Sequence, residues 1–126
     1  MPDWAVRPHT RSERQRLGAA AEEQAAELLR GAGCDILARN LRCRMGELDI
    51  VARRGELLII AEVRLRSSGR FGGAAASITA AKRARIVRAA RYLLAREPGL
   101  ARLAVRFDTL LLSRSAGAIE WIKGAF

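Results

Sequence analysis

The sequence predicts an α/β sandwich, a mixed central β-sheet of about five strands flanked by helices. Three observations carry this. Two stretches have apolar residues at helical spacing, and runs of β character lie between and after them. One of those runs, Leu58-Ile59-Ile60-Ala61, is apolar on both faces, as a central strand covered on both sides requires. The length of 126 residues suits one domain with a real core and is too short for two.

Taken in order, residues 1–11 read as a flexible arm and 12–126 as a single domain. Ser12 followed by Gln15 resembles a capping box, and a helix runs from Glu13 to about Arg30 with the stripe Leu17, Ala21, Ala25, Leu28 and Leu29. Gly31 and Gly33 end it, and Cys34 to Leu41 reads as a strand. Two further strands, Glu47 to Arg53 and Glu56 to Arg66, join at Arg54-Gly55 in a tight hairpin. A Ser- and Gly-rich loop carries Arg70 and Phe71. Thr79 caps a second helix over Ala80 to about Arg96, with Ile86, Val87, Ala90, Leu93 and Leu94 on its apolar arc. Pro98-Gly99 stops that helix, and strands over about Leu103 to Leu112 and Ala118 to Lys123 close the chain.

Lys and Arg number 23 against 13 Asp and Glu, a formal charge of +10. Such an excess attracts polyanions, nucleic acid first among them. Arginines that merely solvate helices are the plain alternative, and an anionic membrane surface fits less well because no helix joins a basic face to large aromatic anchors. Cys34 and Cys43 have no CxxC spacing, and His9 is the one histidine, so a zinc site and a His-dependent mechanism are both disfavoured. Residues 1–16 do not fit a secretory signal, and no apolar run is long enough to cross a membrane, which together give the expectation of a cytoplasmic protein with reduced thiols.

The residues that stand out chemically are carboxylates inside the apolar strands. Alternation makes Glu47 and Asp49 project together, as do Glu62 and Arg64. With the hairpin turning on Arg54-Gly55, Arg53 pairs with Glu56, Glu47 stands opposite Glu62, and Asp49 is a diagonal neighbour of Glu62 at roughly 7 Å. A divalent ion that prefers oxygen, Mg²⁺ or Mn²⁺, would relieve the repulsion among them. A salt-bridge network through Arg64 and a solvated face are the other two readings.

The stretches Gly46-Glu47-Leu48-Asp49-Ile50-Val51 and Ala61-Glu62-Val63-Arg64-Leu65-Arg66 resemble the YraN-like endonuclease family, a bacterial group distantly similar to archaeal Holliday junction resolvases within the PD-(D/E)xK superfamily. The resemblance extends over Gly18 to Glu22 with Ala25, Ile36 to Arg44, Arg70-Phe71-Gly72, Ala81-Lys82-Arg83, Arg106-Phe107-Asp108 and Gly124-Ala125-Phe126. It implies a restriction-endonuclease-like fold and a metal-dependent nuclease acting on DNA. In that reading Asp49 and Glu62 hold Mg²⁺ (or Mn²⁺), Glu22 adds an acid from the first helix, and Glu47 belongs to the signature. The superfamily pattern has lysine where this chain has Arg64, and arginine stays protonated, so it stabilises phosphate charge and cannot act as a base. A non-catalytic nucleic-acid-binding protein with a degenerate site is the alternative, and an adaptor for an acidic protein partner a third. Arg66, Arg70, Lys82, Arg83 and Arg85 are the expected contacts to the phosphate backbone. Lys82 can also bring an ammonium to the site from another direction. A homodimer is compatible with the resolvase likeness, although no stripe in the sequence demands one.

Overall fold

The computed structural model of the protein describes residues 5–6, 13–66, 78–113 and 118–126. The elements run β1 (Ala5–Val6), α1 (Glu13–Gly31), β2 (Asp35–Cys43), β3 (Gly46–Arg54), β4 (Leu57–Arg66), α2 (Ala80–Arg96), β5 (Ala104–Ser113) and β6 (Ile119–Ile122). The six strands lie in the sheet in sequence order. All neighbours are antiparallel except β4 and β5, which are parallel and joined through α2. This is the mixed sheet with two helices that the pattern predicts, with one addition. Ala5–Val6, expected within a flexible arm, instead pairs with Arg42 and Leu41 of β2 as an edge strand.

Each helix covers one face of the sheet. On the α1 face, Ala21, Ala25, Ala26 and Leu29 pack on Ile50, Ala52, Ile59, Ala61, Leu110 and Leu112. On the α2 face, Ile86, Ala89, Ala90 and Leu93 pack on Leu48, Val51, Leu58, Ile60 and Leu103. β4 therefore buries side chains alternately into both cores, and Leu58, Ile59, Ile60 and Ala61 are all buried. Ala21, Ala25 and Leu29 of the expected α1 stripe and Ile86, Ala90 and Leu93 of the expected α2 stripe are buried, while Ser12 and the side chain of Leu17 lie outside the described residues. The capping residue of α2 is Thr79, whose hydroxyl accepts from the Lys82 N–H at 3.1 Å.

The hairpin register differs from the expected one by two residues. Arg54 pairs with Leu57 and Arg53 with Leu58, so the turn residues are Gly55-Glu56 and not Arg54-Gly55. Gly55 has φ +60 and is the first turn residue, the position that a type II′ turn reserves for glycine. A shift of two preserves the faces, since side chains alternate with period two. It does change the pairing, because continuing the ladder from Ile50↔Ala61 brings Asp49 level with Glu62 instead of with Ile60.

Buried Asp108 ties the end of the chain to the sheet. Its carboxylate accepts from Arg106 Nε and Nη2, each at 2.8 Å, from Trp121 Nε1 at 2.8 Å and from the Gly124 N–H at 2.9 Å. Burial alone would raise its pKa, but these donors together hold it below the ordinary aspartate range. The ring of Phe126 then stacks on Phe107 at 5.2 Å between centroids.

Candidate functional site

β3 and β4 part at Asp49. The backbone ladder stops at Ile50↔Ala61, and side chains bridge the gap beyond it. Asp49 Oδ2 accepts from the Val63 N–H at 3.0 Å, while the Asp49 N–H donates to the Glu62 carboxylate. A cavity of about 450 Å³ opens here. It is lined by Glu22 from α1, Glu47 and Asp49 from β3, Glu62 from β4, and Lys82 and Arg85 from α2. Acidic residues from α1, β3 and β4 and basic residues from α2 thus line the same cavity.

Glu62 is 1 % exposed. Burial first, and the neighbouring Asp49 carboxylate second, push its pKa up to about 8; Lys82 and the Asp49 N–H pull the other way without offsetting them. Lys82 Nζ stands 3.7 Å from Glu62 Oε1. Glu62 Oε2 has no hydrogen-bond partner, nor has the buried hydroxyl of Thr109, which is level with Glu62 on β5. Buried polar atoms are rarely left so; of the two, Glu62 lines the cavity and Thr109 does not. Glu22 is likewise raised, by burial first and then by Asp49 and Glu47, against a hydrogen bond from Asn40 and the charge of Arg39.

Among the described residues, no three of the His, Cys, Asp and Glu side chains stand close enough as placed to close a metal shell. Glu62 is turned to Lys82 and Asp49, and Glu22 to Asn40. The donor chemistry nonetheless fits a hard divalent cation: the candidate ligands are carboxylate oxygens, two of them with raised pKa values, and one buried oxygen is without a donor. Asp49, Glu62 and Glu22 are the residues that could hold it.

Glu22, Glu47, Asp49, Glu62, Lys82 and Arg85 all line this cavity, whereas the face expected from strand alternation was Glu47, Asp49, Glu62 and Arg64. Arg64 is half-buried on β4 and is not among the lining residues. Arg83 is exposed, with its guanidinium 5.8 Å from the Phe126 ring centroid. Arg70 and the side chain of Arg66 lie outside the described residues. Sequence reasoning missed two contributors. Asn40, whose φ of +53 no periodicity announces, acts on Glu22 to lower its pKa against burial. Gly46 lets the β2–β3 turn approach α2: a Cβ there would lie 3.1 Å from the Arg85 carbonyl oxygen.

Residues 21–112 match the model of "Uncharacterised protein family UPF0102". A UPF0102 protein of Bordetella petrii is 50% identical over 119 residues, covering 89% of this chain and 70% of the relative. One from Nitrosomonas europaea is 47% identical over 110 residues, covering 86% and 92%. Another, from Azorhizobium caulinodans, is 47% identical over 125 residues, 99% of this chain and 92% of the relative. With the family model matching well over half of its length, the chain belongs to the UPF0102 family.

Proposed function

We propose that this protein is a divalent-metal-dependent nuclease that binds DNA and hydrolyses phosphodiester bonds, with its centre at Asp49, Glu62 and Glu22. The observation that carries the reading is Lys82 beside buried Glu62, in a cavity that Asp49 and Glu22 also line. A bound Mg²⁺ or Mn²⁺ supplies Lewis acidity at a phosphoryl oxygen and lowers the pKa of a coordinated water. The protein's own part is positioning and charge. The Val63 N–H fixes Asp49, and burial holds Glu62 in place. Lys82 and Arg85 line the same cavity, where cations offset the negative charge that develops on a phosphoryl group under attack.

Lys82 also answers the departure at Arg64. The ammonium that the superfamily pattern places on the strand arrives here from the first turn of α2, and the Thr79 cap fixes where that turn begins. Arg64 then belongs to the surrounding basic surface.

The test is incubation of plasmid, single-stranded and four-way-junction DNA with Mg²⁺ or Mn²⁺, and with EDTA. Metal-dependent cutting that is lost in Asp49→Ala and in Lys82→Ala is the expected result. Binding without cutting, with activity appearing in Arg64→Lys, would replace this reading with that of a nucleic-acid-binding protein with a degenerate site. Absence of DNA binding at low salt would overturn both.

A further inference from the structure

We propose, resting on the DNA-binding reading above, that Phe126 is a positioning residue for Arg83, holding its guanidinium where it takes a phosphate next to the one at the cavity. Arg83 is exposed, and its guanidinium carbon stands over the Phe126 ring, 5.8 Å from the centroid. That distance is within the reach of a cation–π contact. Arg83 lies between Lys82 and Arg85 in sequence, and both of these line the cavity. At about 100° per residue it turns off the arc those two share, so it extends the cationic surface of α2 sideways from the cavity.

The ring is itself fixed by the fold. Phe126 stacks on Phe107 of β5, with centroids 5.2 Å apart and planes inclined by 30°, and packs against the α2-side core. Just before it, the Ala125 N–H donates to the Phe107 carbonyl at 2.8 Å and the Gly124 N–H to buried Asp108 at 2.9 Å. On the other side of the contact, the Arg83 N–H donates to the Thr79 carbonyl at 2.9 Å, at the cap that sets the start of α2. Both backbones are thus set, and the ring restricts the long side chain between them. An arginine tied to a carboxylate, as Arg106 is to Asp108, has its charge offset by that partner. A ring carries no net charge, so the charge of Arg83 stays available to a phosphate oxygen. One turn of α2 then serves three adjoining strands. Gly46 of β3 lies against the Arg85 main chain, Lys82 is 3.7 Å from Glu62 of β4, and Arg83 overlies the ring stacked on β5. Neighbouring strands lie about 5 Å apart, so this row is wide enough to meet more than one phosphate of a DNA strand.

Affinity for a fluorescein-labelled DNA duplex is measured by anisotropy in EDTA, over a range of salt, alongside thermal melts. The chains compared are wild type, Arg83→Ala, Phe126→Leu, Phe126→Tyr and the double variant of Arg83→Ala with Phe126→Leu. Arg83→Ala is expected to reduce the salt slope of log K by about 1, as loss of one phosphate contact does. Phe126→Leu keeps the charge and an apolar side chain, yet should weaken binding about 2- to 10-fold, the scale of ordering one long side chain that the ring no longer holds. Phe126→Tyr keeps the ring and should bind as wild type, and the double variant should be no weaker than Arg83→Ala. An unchanged slope in Arg83→Ala overturns the phosphate contact and the proposal with it. Wild-type affinity in Phe126→Leu whatever its melting temperature, an equal loss in Phe126→Tyr, or a loss that adds in full in the double variant overturns the positioning role and leaves the DNA-binding reading standing. Absence of duplex binding by the wild-type chain at low salt overturns both.

Discussion

Glu62 gives this protein an unusual dependence of stability on pH. Its carboxyl titrates at about 8 in the folded chain, against an ordinary value of 4.5. Between those values the folded state holds a proton that the unfolded state has released, so stability must fall as pH rises. The contribution is full below about pH 4.5 and is lost as pH passes about 8. At about 1.4 kcal/mol per pH unit, the whole span is worth at most about 5 kcal/mol, and roughly 3 kcal/mol of it lies between about pH 5.5 and 8.5. Urea denaturation in EDTA at those two pH values, for wild type and Glu62→Gln, isolates the effect, because all other titrating groups are shared. Wild type should lose about 3 kcal/mol more than the variant between the two conditions. Parallel slopes would refute the assignment of a protonated, buried Glu62. Mn²⁺ should act in the opposite sense, stabilising wild type at about pH 8.5 by about 2.7 kcal/mol at a hundredfold excess over its dissociation constant.

Asp108→Ala removes a buried charge that takes four hydrogen bonds and leaves Arg106 without it; a loss of about 3–5 kcal/mol in chemical denaturation is expected, and a loss under about 1 kcal/mol would show the network to be dispensable. Stability conferred by Asp108 should persist at neutral pH and be lost as pH falls through its depressed pKa, the reverse of Glu62. Gly46→Ala sets a Cβ 3.1 Å from a backbone oxygen of Arg85, so a cost of about 1–3 kcal/mol is expected, with a drop in any nuclease activity as α2 and its Lys82 are displaced. Arg85→Ala should weaken DNA binding equally across sequences and reduce the salt slope of log K by about 1. An unchanged slope would remove Arg85 from the phosphate-binding surface.

Periodicity made the fold legible. Ala21, Ala25 and Leu29 on one helix, and Ile86, Ala90 and Leu93 on the other, are buried where spacing put them. β4 is buried on both faces because its sequence is apolar at both parities. The acids were legible for a related reason, since a carboxylate in such a run needs a compensating partner. Features that depend on individual φ values were not legible. Whether Gly55 takes the first or second turn position moved the hairpin register by two residues, and both choices agree with the same apolar pattern. The pairing of Ala5–Val6 with β2 was not legible either, because two residues are too few to show a period.

The two helices also settle how opposite charges coexist at one cavity. α2 contains six cations, Lys82, Arg83, Arg85, Arg88, Arg91 and Arg96, and no acid. α1 carries Glu22, Glu23 and Glu27 in its middle turns. Had one helix carried both sets, i,i+4 pairs would have neutralised them locally. Placed on opposite faces of a sheet, they come together at the cavity beyond Ile50↔Ala61, which both Glu22 and Lys82 line. There Lys82 reaches Glu62 at 3.7 Å, yet Glu62 keeps a raised pKa because burial and Asp49 outweigh that single cation. The net charge of +10 attracts an approaching polyanion chiefly within about a Debye length, roughly 8 Å, while the few carboxylates of the cavity act at contact. An arrangement that draws in a polyanion and then presents it with carboxylates is repulsive unless a cation intervenes. The divalent ion proposed above, held by Asp49 and Glu62, would remove that repulsion at contact.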